Sequence, residues 1–145
     1  MLKGSDYLKI YQQLDWDSYI SIVQELMTIE KDNLEHELLC QARLYSYWTG
    51  LLTLAKKDYD RIKRSIETTE ALLKNDLVRT NTKLSDKKLD LKVKEKEEYI
   101  TLLKELENQN YKLGLFQNIV KALEQRKDML VQISSNRKKE LSLHS

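Results

Sequence analysis

The chain has 145 residues with no proline, three glycines and one cysteine, and 33% of it is charged. That length suits one ordinary domain with a modest core, and a composition led by Leu, Lys and Glu is that of long helices or coiled coils. A net charge of +2 excludes a global field able to attract nucleic acid, which must then come from local clusters, and a lone cysteine excludes a disulfide framework and fits a reducing compartment.

Residues 1–31 read as an amino-terminal helical arm. Ser5 and Asp6 suit the cap of a helical turn carrying Tyr7, Leu8, Ile10, Tyr11 and Leu14. Asp15 or Asp17 then caps a helix to about residue 31, with Tyr19, Ile22, Val23, Leu26 and Met27 inward. The arm is expected to dock on a neighbouring surface or to fray. It lacks the uninterrupted apolar core of a signal peptide, and no apolar run approaches the roughly 18–20 residues of a membrane span. The expected location is cytoplasmic.

Asp32 or Asn33 suits the cap of the next helix, residues 32–79, about 65 Å long at the usual helical rise. Its organising stretch is residues 44–63, LYSYWTGLLTLAKKDYDRIK. Tyr45, Trp48, Leu52, Ala55, Tyr59, Ile62, Ile66 and Leu73 recur at gaps of three and four, a stripe close to a heptad. Lys56, Lys57, Arg61, Lys63 and Arg64 lie between them, against Asp58 and Asp60. One element therefore carries an apolar seam and a basic outer face. Gly50 is either outweighed by its flanks, a bend, or a point of close helix approach.

Residues 80–85, TNTKLS, form the linker, with Ser85 or Asp86 as the cap of a further helix. Residues 86–139 read as that one carboxyl-terminal helix, charged at first and then broadly apolar. Leu102, Leu106, Leu113, Phe116, Val120, Leu123 and Leu130 hold the four-three alternation, with Gln109 and Lys127 in register. Leu103, Leu115, Ile119, Ala122, Met129 and Ile133 widen the face beyond a two-stranded seam. These seven seam residues are therefore expected to join subunits. The expected fold is all-α: long antiparallel helices joined by a short linker, assembled into a homo-oligomeric ring or bundle. Residues 140–145 read as a disordered tail.

Nothing in the sequence marks a catalytic centre. It holds no glycine-rich phosphate loop, nucleophile elbow, or Cys/His pair at metal spacing; no catalytic residue, metal or cofactor is expected, and the protein is not read as an enzyme. His36 reads as a helix-surface or packing residue, and Cys40 as a small buried hydrophobe. The informative features are three basic clusters: Lys56, Lys57, Arg61, Lys63 and Arg64; Lys74, Arg79, Lys83, Lys87 and Lys88; and Arg126, Lys127, Arg137, Lys138 and Lys139. Each alone suits a solvated face. Copied around an oligomer, such a cluster becomes a track along which phosphate contacts add. Tyr45, Trp48 and Tyr59 suit base stacking, but their helical spacing reads first as core; Tyr47, off the stripe, is the freer aromatic.

The order of these features resembles the UvsY family of phage recombination mediators. Leu34 and Glu37 lead into Leu44-Tyr45-Ser46-x-Trp48, then Lys56-Lys57-acidic-x-x-Arg61-Ile62. Ala122-Leu123-x-x-Arg126 comes next, with Leu130, Ile133 and Arg137 at the family spacing. The resemblance implies a helical phage protein, ringed through its carboxyl-terminal helices and acting in the host cytoplasm. It further implies binding of single-stranded DNA and contact with a single-strand-binding protein and a RecA-like recombinase, whose filament it helps to replace the coating protein. Lys56, Lys57, Arg61, Lys63, Arg64, Lys74, Arg79 and Lys83 would then meet DNA. The family's Lys-x-Arg pair after the long helix has only Lys74 and Arg79 as counterparts, at a different spacing. The family's glycine-rich loop is shortened to residues 80–85, and the arm before Asp17 has no counterpart. The rival reading is a coiled-coil scaffold without affinity for nucleic acid, its basic groups paired with Asp58, Asp60, Glu67 and Glu70.

Overall fold

The computed structural model describes residues 4–80 and 83–144, with side chains from Leu8 onward. They form five α-helices and no strand: α1 (Gly4–Gln13), α2 (Trp16–Met27), α3 (Leu34–Thr80), α4 (Asp86–Lys94) and α5 (Glu97–His144). None of the described helices is long and apolar enough to cross a membrane. The chain divides into two compact units, one of residues up to Leu54 with those from Gly114 onward, the other Ala55–Leu113. The long helices α3 and α5 contribute to both.

In the first unit α3 and α5 pair antiparallel: Glu37 meets Arg126, Gln41 meets Leu123 and Trp48 meets Phe116. The buried positions of α3 here include Leu34, Gln41 and Trp48, every seventh residue, and Leu51. Against them α5 buries Phe116, Ile119, Leu123 and Leu130 completely, at 0% exposure. With Arg126 these residues step by three and four, the spacing that keeps one face turned to a partner helix. The arm docks on this same unit. Asp15 caps α2 by accepting from the Ser18 amide at 2.8 Å, a bond to the ionised carboxylate that holds its pKa below the ordinary 3.8. Tyr11 and Leu14 are buried, and the Tyr11 ring stacks on Phe116 with centroids 5.5 Å apart.

The second unit is built on Ile66, Val93 and Tyr99, with Ile62, Leu73, Leu77, Leu102 and Leu106 packed around them. The Gln109 side-chain amide donates to the Ala55 carbonyl at 3.1 Å, and Lys74 pairs with Asp90 at 2.7 Å. Ser85 caps α4, accepting from the Lys88 amide.

Three boundaries differ from expectation. Residues 86–139 are not one helix, because the chain turns at Glu95 and Lys96. Val93 and Tyr99 are six apart, which an unbroken helix would turn about 120° away from one another; both nonetheless enter one core. The carboxyl end is helical through His144 rather than disordered from 140. It contains no Gly or Pro, it extends a helix already nucleated, and Arg137 ties it down by donating to the Lys31 carbonyl at 2.6 Å. Asp32 and Asn33 lie in a 3-10 turn, Lys31–Asn33, that leads straight into α3. Gly50 makes no close approach, since a Cβ there would meet nothing within 4 Å. Of the expected linker, Asn81 and Thr82 lie outside the described residues.

Candidate nucleic-acid interface

The second unit carries the basic face. Its stretch of α3 turns Ala55, Ile62 and Ile66 inward, so helical periodicity sends Lys57, Arg61 and Arg64 to the opposite side and Lys56 and Lys63 to its edge. All five are exposed, and from Lys56 to Arg64 they cover about 12 Å of helix axis. Asp60 and Glu67 are interspersed among them without forming an ion pair among the described residues. Asp58 does pair with one of the cations, reaching Arg61 at a loose 3.6 Å. It also faces Lys112 of α5, whose amine burial pushes below the usual lysine range while Asp58 pulls the other way. The Arg61 side chain is 66% exposed, which leaves it open to an anion. Arg61 and Arg64 line a shallow hollow with Ser65, Thr68 and Thr69, and a guanidinium is the side chain best suited to phosphate oxygens.

The other expected DNA contacts differ in kind. Lys74 is held by Asp90 at 2.7 Å and Glu70 at 3.3 Å. Those bonds raise its pKa and lower that of Asp90. Arg79 pairs with Asp76 at 3.0 Å. Neither offers a free charge. Lys83 is exposed in the turn before α4, without an ion pair among the described residues.

The residues expected to join subunits have another role. Leu113, Phe116, Val120, Leu123 and Leu130 are buried within a single chain, and Leu102 and Leu106 pack on the Ile66 cluster. That seam is spent on the chain's own helix pairing and on seating the arm. The exposed apolar residues of α5 are instead Ile100, Leu103, Tyr111, Met129, Val131, Leu141 and Leu143.

The third basic cluster is also divided. Arg126, read as part of a solvated face, is 3% exposed, whereas Lys127, read both in that cluster and in register with the seam, is exposed. Arg126 donates to the Glu37 carboxylate and, at 2.5 Å, to the Gln41 side-chain oxygen. Gln41 in turn donates to the Leu123 carbonyl at 2.8 Å. These three side chains form a polar lock inside an otherwise apolar pairing. The shared seventh-residue spacing of Leu34, Gln41 and Trp48 is the sequence signal for it: a polar residue at a seam position needs a buried partner.

The aromatics read as candidates for base stacking are mostly covered. Trp48 is buried, Tyr59 half-buried, and Tyr47 packs edge-on against Trp48 with centroids 5.1 Å apart, so it is not the free ring its spacing suggested. Tyr45 is the more exposed, its hydroxyl 3.5 Å from Glu124. Cys40 is half-buried, its sulfur 3.5 Å from the His36 ring one turn away. Among the described residues no three His, Cys, Asp or Glu side chains are grouped as a metal site.

Paired long helices with a cationic face and a polar lock define an all-α protein. Among solved structures the chain is similar to the bacteriophage T4 recombination mediator protein UvsY, with a TM-score of 0.71 at 14% identity. The match covers 88% of this chain and 99% of the T4 protein. The helical fold is thus the one the resemblance implied. No family model and no curated protein matches the sequence.

Proposed function

We propose that the protein is a recombination mediator that binds single-stranded DNA through the exposed face of α3 and helps load a RecA-like recombinase in place of the single-strand-binding protein. The observation that carries this reading is a fold shared over 99% of a recombination mediator by a chain whose long helix exposes five cations between Lys56 and Arg64. Lys56, Lys57, Arg61 and Arg64 neutralise phosphates, with Lys63 and Lys83 at the margins. One copy of this strip contacts only a few phosphates, so the protein works as a homo-oligomer that repeats it, and avidity multiplies a weak grip. Subunits meet through exposed apolar residues of α5 such as Met129, Val131 and Leu141 rather than through the buried seam. The protein acts in the cytoplasm of a phage host, as a binder and not an enzyme.

Fluorescence anisotropy with oligo-dT tests this. Four neutralised phosphates per subunit give a log–log salt slope of about −3, at about −0.7 each. The double reversal Lys57→Glu/Arg61→Glu is expected to weaken binding to every sequence alike and flatten that slope. The scaffold alternative draws on the pairs Arg61–Asp58, Lys74–Glu70 and Arg79–Asp76. Affinity that ignores both salt and the reversals would refute the assignment of DNA to this face, and absence of oligo-dT binding at low salt would favour the scaffold reading instead.

A further inference from the structure

The short helix α4 has an outer face unlike the rest of the surface. Leu89 and Val93 are its buried side, which turns Leu91 to solvent at 56% exposure. On a helix the surface neighbours of a residue lie three and four positions away. For Leu91 these are Lys87, Lys88, Lys94 and Glu95, with Lys92 adjacent. All four lysines are exposed, and none reaches a carboxylate partner among the described residues. Of the nearby acids, Asp90 is held by Lys74 at 2.7 Å, with Lys94 adding only a weaker pull on it, and the exposed Glu95 at the end of the helix forms no ion pair with these lysines among the described residues. An apolar side chain thus stands among four positive charges and a single carboxylate.

From this we infer a docking surface for an acidic segment of a partner protein that carries an apolar side chain among its carboxylates. Charge complementarity selects the acidic partner and sets its approach; Leu91 supplies the contact that a uniformly charged ligand cannot use. A single-stranded nucleic acid fits the face less well. Its phosphates would meet the lysines but leave Leu91 uncovered, and α4 has no aromatic side chain on which a base could stack. The surface is separate from the basic face of α3, and the inference does not depend on DNA binding there.

The test uses the full-length protein and three fluorescein-labelled probes: an acidic octapeptide with Leu and Phe set among Asp residues, an all-aspartate octapeptide, and oligo-dT. The apolar-containing peptide is expected to bind about tenfold more tightly than the all-aspartate one, the worth of covering one leucine. Leu91→Ser should erase that advantage and Leu91→Met restore it, while Lys88→Glu/Lys92→Glu weakens both peptides. All these positions are exposed, and circular dichroism verifies that each variant folds. The peptide signal should survive Lys57→Glu/Arg61→Glu, which separates failure of this inference from failure of the DNA reading. Absence of peptide binding, equal binding of the two peptides, or indifference to Leu91→Ser would overturn it. So would oligo-dT affinity falling as far with Lys88→Glu/Lys92→Glu as with the α3 reversals, a result that would assign the face to nucleic acid.

Discussion

Replacing Arg126 by Met removes a charge while roughly keeping the volume, so its effect isolates the polar lock from packing. Arg126 is 3% exposed and Glu37 is 13% exposed at its side chain. Without the guanidinium, Glu37 is left as an unpaired carboxylate and Gln41 loses the donor to its side-chain oxygen. Removing one partner of a buried pair costs about 3–5 kcal/mol. Glu37 retains a route to water, which places the loss near the lower limit, about 3 kcal/mol. Urea unfolding followed by helical circular dichroism, at one fixed protein concentration, reads this directly. With a slope of about 2 kcal/mol per molar urea, the midpoint falls by about 1.5 M. The triple replacement Glu37→Leu/Gln41→Leu/Arg126→Met removes every member at once and is expected to come within about 1 kcal/mol of the parent. A single-variant loss below about 1 kcal/mol, or a triple variant as weak as the single one, would refute the claim that Glu37 and Gln41 hold Arg126 there.

Asp15→Ala should leave the fold intact but speed hydrogen exchange at the Ser18 amide, the donor to its carboxylate. The folded pKa of Asp15 lies below its unfolded value of 3.8. This cap therefore contributes fully above pH 3.8 and is lost as pH falls through the depressed folded value; exchange measured across that window locates it. Lys74→Gln should alter oligo-dT affinity far less than Lys57→Gln, because Asp90 and Glu70 already engage the Lys74 charge; equal losses in anisotropy would contradict that ordering.

What the sequence could convey was set by periodicity. The four-three spacing of Trp48, Ala55, Ile62 and Ile66 located the inward face of α3, and its complement located the cations, because both come from helix geometry alone. The caps were legible to within two residues, Asp15 or Asp17 and Ser85 or Asp86, because capping is settled within four residues; the structure selects Asp15 and Ser85. The misplacements share one cause, that periodicity names a face but not what covers it. Phe116, Val120 and Leu123 read as a subunit seam because nothing in their spacing tells another chain from α1 and α3 of the same one. Arg126 and Lys127 are one step apart on a broad apolar face, and a shift of about 100° decides which of them is inside; the deciding partners, Glu37 and Gln41, lie far off in sequence. The break at Glu95 was hidden because no Gly or Pro marks it. It is imposed by the shared burial of Val93 and Tyr99, and it makes α4 a separate helix with an outer face of its own. The two basic surfaces then separate on physical grounds. On α3 the cations stand over a continuous helix, an arrangement suited to a polymer of phosphates. On α4 they surround one leucine, and that leucine gives the second surface a selectivity that charge alone lacks.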